Sequence, residues 1–442
     1  MCGGAGAQSA PAPAPQAPLD APGVVSYALE HSPQILALRA VVAADESVYA
    51  HAHAAELPAI AGTLQNTLEK SENAAGIYSQ YGVNPASQFS QNTAQIGASW
   101  NLPAGGAAQI TAQEAKRALE AERNDLRRAE QQLAGTVAAA FYDLAARQET
   151  VRVAAGDLDY QKALLDAARS LEHAGRIAPV DTLRAQVNAL RGQGRLVTAQ
   201  ADAANAEEAL AQSIGAPATT AFAVPAAVPE PPLPAQPIEA LIGIASTHRS
   251  DVLAARATLA NATLANGLID TDRYPQIQLT GAFGNSYSPT QGPIVPGGGN
   301  PGFWQFGVTS SLTLPLIEYG ARRAAHAAAQ AQITAAGAAL SSVEYAVEYD
   351  IRRALRNAQT AAANLQTAKE AADLGRESVR IAQLQYRSGL ISYTDASAAE
   401  QSAVEAAQEL TAARVAYITA VIRLRVAVGA DDPVAIVRDT AA

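Results

Sequence analysis

The chain carries one plan twice. His31-Ser32-Pro33-Gln34-Ile35-Leu36-Ala37-Leu38-Arg39-Ala40 parallels His248-Arg249-Ser250-Asp251-Val252-Leu253-Ala254-Ala255-Arg256-Ala257 at an offset of 217 residues, and Leu57-Pro58 parallels Tyr274-Pro275 at the same offset. Ser99-Trp100-Asn101-Leu102-Pro103 returns 212 residues later as Ser311-Leu312-Thr313-Leu314-Pro315. Gly175 through Asp181 returns as Gly389 through Asp395, and Ile214-Gly215-Ala216 as Val428-Gly429-Ala430, both at 214. Five landmarks in one order with nearly constant spacing mark a duplication, which confines the fold to two copies of one supersecondary plan. The copies span residues 21–224 and 238–430. A Pro-rich linker occupies 225–237, a tether 1–20 and a tail 431–442.

Each copy has the same order of elements. A helix of roughly 35 residues comes first (about 21–56 and 238–273) and ends at a proline, whose ring blocks continuation. Two strand-like segments follow. A very long helix (about 107–173 and 320–387) then turns at a glycine near 175 or 389 into a return helix of roughly 34 residues. At 1.5 Å per residue the long helix spans about 100 Å. The first and return helices are each about half as long, so two short helices end to end flank one long one, as in a tall helical cylinder. Leu119, Leu126 and Leu133 repeat every seven residues, and Val137, Leu144, Val151, Leu158 and Leu165 resume that spacing after a four-residue step. Such a repeat keeps one seam on a neighbour and implies left-handed supercoiling. Composition agrees: aromatics make up 5%, charged residues 16%, and alanine, which lets helices form cheaply and approach closely, dominates.

The strand segments are expected at 58–70, 92–103, 275–287 and 303–315. Ala94, Ile96, Ala98, Trp100 and Leu102 alternate with Gln95, Gly97, Ser99 and Asn101. Trp304, Phe306, Val308, Leu312 and Leu314, interrupted by Ser310, alternate with Gln305, Gly307, Thr309, Ser311 and Thr313. Ile277, Leu279 and Phe283 alternate with Gln278, Thr280 and Gly284, and Ile60, Leu64 and Leu68 with Thr63, Gln65 and Thr67. An apolar face backed by a polar, uncharged one is the pattern of a membrane barrel, lipid outside and water inside, and about 10–13 residues is the length a tilted strand needs to cross. A half-buried soluble sheet shows the same alternation. Trp100 and Tyr274 fall at the helix-proximal ends and Tyr287, Phe303 and Trp304 at the loop ends, like aromatic belts at two interfaces. Four strands cannot close a barrel, and an open edge cannot exist in lipid. The chain must therefore oligomerise, and three copies give twelve strands.

A net charge of −10 argues against a nucleic-acid partner. Cys2 is the single cysteine, which leaves no intrachain disulfide and no cysteine-based zinc site. It heads a Pro/Ala-rich tether with no apolar signal segment, so the expectation is a processed bacterial lipoprotein with its lipid on Cys2. His51 and His53, two apart on a helix, point away from one another and read as surface residues. Glu207-Glu208 and Asp431-Asp432 read as solvated helix face and loop. No phosphate loop, nucleophile elbow or metal signature is present, so no catalytic, cofactor or metal residue is expected.

With these features in order, the chain resembles the TolC family of outer-membrane efflux proteins, in its lipoprotein branch, over nearly its whole length. The resemblance is carried by the duplicated turns Ala174-Gly175-Arg176-Ile177-Ala178-Pro179-Val180-Asp181 and Ser388-Gly389-Leu390-Ile391-Ser392-Tyr393-Thr394-Asp395, and by strand–loop–strand units ending in Leu-Pro. It implies an α+β membrane protein: a homotrimer whose twelve-stranded β-barrel continues into a coiled-coil α-helical barrel in the periplasm of a diderm bacterium. It implies partners too, namely a periplasmic adaptor (membrane fusion) protein, an inner-membrane pump of RND or ABC type, and outer-membrane lipid. The helix tips would close like an iris, with Gly175, Arg176, Asp181, Tyr386, Arg387, Gly389 and Asp395 at the gate and adaptor contact. Tyr386 and Asp395 match the family's tip network, whereas Ile391 and Ala398 stand where an Arg and a second Asp occur in some members, leaving Arg387 or Arg176 to take part. Asp181 and Asp395 are expected to N-cap the return helices. The reading from a different class is a soluble periplasmic coiled-coil scaffold or adaptor.

Overall fold

The computed structural model describes residue 15, residues 17–70, 88–103, 105–225, 228–287, 303–317 and 319–429, and residues 432 and 434. Cys2, most of the tether and most of the C-terminal tail lie outside the described residues. The elements run α1 (Ala21–His31), α2 (Pro33–Ala54), β1 (Ala59–Lys70), β2 (Gln88–Pro103), α3 (Ala107–His173), α4 (Pro179–Ser213), α5 (Ile238–His248), α6 (Ser250–Thr271), β3 (Gln276–Tyr287), β4 (Phe303–Thr313), α7 (Ala321–Arg387) and α8 (Tyr393–Val428). The long helices are 67 residues each. The first helix of each half differs from expectation, because it is broken in two.

The breaks have different causes. Ser32 is extended (φ −61°, ψ 123°) before Pro33, whose ring disfavours helix in the residue ahead of it. Arg249 is extended in the same way without a proline (φ −67°, ψ 126°). Its buried side chain is held by three acceptors: Asp251 at 3.0 Å, Asp350 at 3.2 Å and the Ala427 carbonyl at 3.2 Å. Arg128 donates to the adjacent Val426 carbonyl at 2.8 Å. Two cations thus meet the negative end of α8, where the last carbonyls lack helical partners.

The chain divides into two compact units, one of Met1–Val42, Glu122–Arg256 and Ala339–Ala442, the other of Ala43–Ala121 and Ala257–Ala338. In the first unit the largest core gathers Val24, Val25 and Ala28 of α1 with Phe141, Tyr142 and Leu144 of α3, Leu210 of α4 and Ile418 and Ile422 of α8. A second core, with Leu241 and Ala245 of α5 on Val347 and Ile351 of α7, uses the positions 217 residues on from Val24 and Ala28. The predicted seam of α3 faces inward: Leu119, Val137, Leu144, Leu158 and Leu165 are buried, and Leu126, Leu133 and Val151 half-buried. Small residues set the helix spacing. A Cβ on Gly375 would lie 3.1 Å from the Ala403 Cα, and one on Gly135 would lie 2.9 Å from Val426. The Pro-rich linker is strapped down rather than free: Glu230 pairs with Lys369 of α7 and Arg414 of α8, and Tyr417 donates to the Pro231 carbonyl.

The second unit holds one antiparallel sheet in the order β1-β2-β3-β4. β2 begins at Gln88, earlier than expected, and β4 ends at Thr313, two residues short of Pro315.

Candidate functional site

Register fixes the chemistry of the sheet. Ile60 pairs with Ala98, Ala98 with Gly281 and Gly281 with Val308, so one row across all four strands is apolar. Ile96, Phe283 and Phe306 form the next row, and Trp100 lies beside Leu279. Alternation sends Thr63, Gln65, Gln95, Ser99, Gln278, Thr280, Gln305 and Thr309 to the opposite face. No charged residue lies between Ala59 and Leu68 or within β2, β3 and β4. The apolar face is uncovered: Leu64 is 88% exposed, Phe306 76% and Trp304 71%. Such a contiguous apolar face, too large for a water-exposed surface, marks contact with lipid or protein. Among the described residues no strand pairs with the outer edges of β1 and β4, which leaves their backbone groups open.

Of the expected belt, Trp100 donates its indole N–H to the Glu56 carbonyl at 3.0 Å, which ties β2 to the turn after α2. Tyr274 is half exposed immediately before β3. Trp304 stacks on Phe283 with ring centres 5.3 Å apart. The side chains of Tyr287 and Phe303 lie outside the described residues. On the polar side, Asn101, Gln276, Gln278, Ser311 and Thr313 line a cavity of about 490 Å3.

In the first unit, the two hairpin turns share one geometry. Gly175 (φ 70°) and Gly389 (φ 72°) take the left-handed conformation that closes a helix, with bonds from Arg176 N to the Leu171 carbonyl and from Leu390 N to the Gln385 carbonyl, both 2.9 Å. The caps that follow differ from expectation. The N-caps are Ala178 and Ser392, and Asp181 and Asp395 sit three residues inside. Ser392 and Asp395 form a reciprocal capping box, in which Asp395 N donates to Ser392 Oγ (3.1 Å) and Ser392 N to the Asp395 carboxylate (3.3 Å). Ala178 has no side-chain oxygen to offer. Pro179, with φ preset for the first helical position, starts α4 instead, and Asp181 pairs loosely with Arg184.

Arg176 joins the turns by donating to the Ser388 carbonyl at 3.3 Å, and its guanidinium would sit 2.8 Å from a Cβ on Gly389. Tyr386 and Tyr393 pack edge to face in an apolar cluster with Leu164, Leu165, Leu171 and Ala185. Tyr386 is 1% exposed, and its hydroxyl has no hydrogen-bond partner among the described residues. Burial raises its pKa, and the Asp181 carboxylate and Tyr393 push the same way. Ile391 packs against this cluster, and Arg387 acts on Tyr160 only through its charge. The expected tip residues therefore share one region, but through packing and Arg176 rather than a Tyr–Arg–Asp hydrogen-bond chain.

Sequence reasoning missed a buried polar knot among α3, α4 and α8. Asp157 (3% exposed) accepts from Arg195 Nε at 3.0 Å and from Gln161 at 3.3 Å, with Glu400 (7% exposed) beside them. The available signal was periodicity, since Glu400 follows the buried Tyr393 and Ala396 by seven and four residues. His53 pairs with Glu56 and stacks on Tyr49. Among the described residues no group of three or more His, Cys, Asp or Glu is placed to hold a metal, and no helix is long and apolar enough to cross a membrane.

Known proteins share this arrangement. The chain's backbone is similar to that of the outer membrane channel MtrE of Neisseria gonorrhoeae in its open state (TM-score 0.75, 21% identity, 93% of this chain and 89% of that one). It is also similar to VceC, an outer membrane protein of Vibrio cholerae (TM-score 0.73, 18% identity, 92% and 95%). The outer membrane protein OprJ of Pseudomonas aeruginosa is 29% identical over 152 residues, 34% of this chain. That match spans 31% of OprJ. The family model described as outer membrane efflux protein matches residues 24–216 and 241–430, so the chain belongs to the outer membrane efflux protein family.

Proposed function

We propose that the protein is the outer-membrane channel of a tripartite efflux or secretion system, a passive homotrimeric duct with no catalytic step. The observation that carries this reading is the sheet: four strands uncharged but for Glu69 and Lys70 at the end of β1, one bare apolar face, one polar face and two open edges among the described residues. Only a closed barrel satisfies every backbone group in lipid. Three copies close twelve strands with β1 of each beside β4 of the next, placing the polar face around water. The duplicated hairpins then supply a helical barrel, and the matching of two segments by one family model supports the two-fold repeat. The tips at Gly175 and Gly389 form the gate and meet a periplasmic adaptor. An inner-membrane pump supplies the energy, and Cys2 carries a lipid anchor.

Size measurement in detergent, paired with planar-bilayer conductance, tests the proposal. A detergent-dependent trimer with discrete conductance steps is expected. A water-soluble monomer or dimer without conductance would establish the scaffold reading instead.

A further inference from the structure

Some distance along the helices from the turns, two buried carboxylates, Asp157 and Glu400, lie beside one half-exposed guanidinium that is bonded to Asp157. We propose that this knot is a proton-binding latch: Glu400 packs in its neutral form and holds the start of α8 against the first hairpin, and its ionisation releases that stretch.

The geometry carries the argument. Arg195 of α4 spends both Nε (3.0 Å) and Nη2 (2.5 Å) on one oxygen of Asp157, and Gln161 occupies the other at 3.3 Å. Arg195 is thus committed to Asp157. Glu400 of α8 is 7% exposed and accepts no hydrogen bond from the described residues. With both carboxylates ionised, Glu400 is a largely buried negative charge beside a half-exposed cation already bound to Asp157, a costly arrangement. A proton on Glu400 removes it. The facing titratable groups do not change that balance. Asp157 and Tyr160 face Glu400 from α3 and Arg195 from α4. Tyr393 on α8 and Arg387 on α7 act on Tyr160. Burial of Glu400, reinforced by Asp157 and opposed by Arg195, pushes its pKa up to about 7.

Apart from the apolar packing of Tyr393 and Ala396, a few hydrogen bonds among the described residues hold this part of α8. Asn188 donates to Tyr393 Oη at 2.8 Å and to Ser397 Oγ at 3.4 Å, and Tyr160 donates to the Ala396 carbonyl at 3.5 Å. A cavity of about 430 Å3, lined in part by Asp157, Arg195, Asp202, Val404 and Gln408, gives water a route to the knot. The packed state binds its proton more tightly than the released state, whose pKa is the ordinary 4.5. Packing is therefore strongest below that value and is lost as pH rises through about 7. The latch stands on the helix packing alone; its effect on conductance rests on the proposed gate.

Hydrogen exchange of amides 393–404 in the full-length channel, corrected for the chemical pH dependence, tests the latch. Between pH 5 and pH 8 exchange should accelerate on the order of a hundredfold. Glu400→Gln, neutral at every pH, should abolish the acceleration. Asp157→Asn frees Arg195 for Glu400 and should move the transition to lower pH. No transition in the native channel, or the same transition in Glu400→Gln, overturns the latch and leaves the gate untouched. A transition in exchange with constant conductance keeps the latch and removes the tips as the gate.

Discussion

Val308 and Thr309 are adjacent in β4 and point to opposite faces, so a charge placed at each reports what that face touches. Val308 is the sixth of eleven residues in β4 and is 60% exposed. Its row is completed by Gly281, Ala98 and Ile60, none of which can pair with a cation. An arginine at the midplane of a lipid-facing strand costs about 2–4 kcal/mol, or about 6–12 kcal/mol summed over three copies if each bears it in full. Thr309 lies beside Thr280, itself beside Ser99, on the polar face. An arginine there projects into water and should cost under about 0.5 kcal/mol, as an ordinary surface substitution does. The assay is urea unfolding of the protein reconstituted in lipid vesicles. Val308→Arg should lower the midpoint markedly, whereas Thr309→Arg should stay close to the native protein and alter ion preference. Equal destabilisation by both, or a larger loss from Thr309→Arg, would refute the assignment of faces.

Two further outcomes follow from the turns. Ser392→Ala removes the capping box and should cost about 1 kcal/mol, whereas Ala178→Ser, which recreates the box with Asp181 already in place, should gain a similar amount; exchange protection of the first turns of α8 and α4 measures both. Tyr386→Phe deletes a buried hydroxyl that has no partner among the described residues, so stability should be unchanged or raised by about 1 kcal/mol. A clear loss in thermal unfolding of that variant would reveal a hydrogen bond to another copy.

Much of this was legible from periodicity. Strand faces follow from alternation, and the long helices from stretches with no proline inside, in α3 with a heptad seam that shifts once by four residues, because these signals depend only on neighbours in sequence. The break at Pro33 was visible in principle, through proline's effect on the residue before it. The break at Arg249 was not, since it depends on Asp350 and the Ala427 carbonyl, far away in the chain. The capping residue was misplaced by three positions because an aspartate suits both the N-cap and the third position; only backbone geometry separates them. Glu400 stayed hidden because a lone glutamate in an alanine-rich helix reads as solvated, and its burial depends on residues of two other helices.

In the proposed duct this sheet is closed only by other copies of the chain. Disulfide trapping tests it most directly: in a Cys2→Ser background, single cysteines along β1 between Ala59 and Thr67 are paired with single cysteines along β4 between Gln305 and Thr313, then oxidised in membranes. At the correct register a covalent ladder of monomer, dimer and trimer that stops at three is expected. Only monomer at every pairing, or a ladder that continues past three, would contradict it.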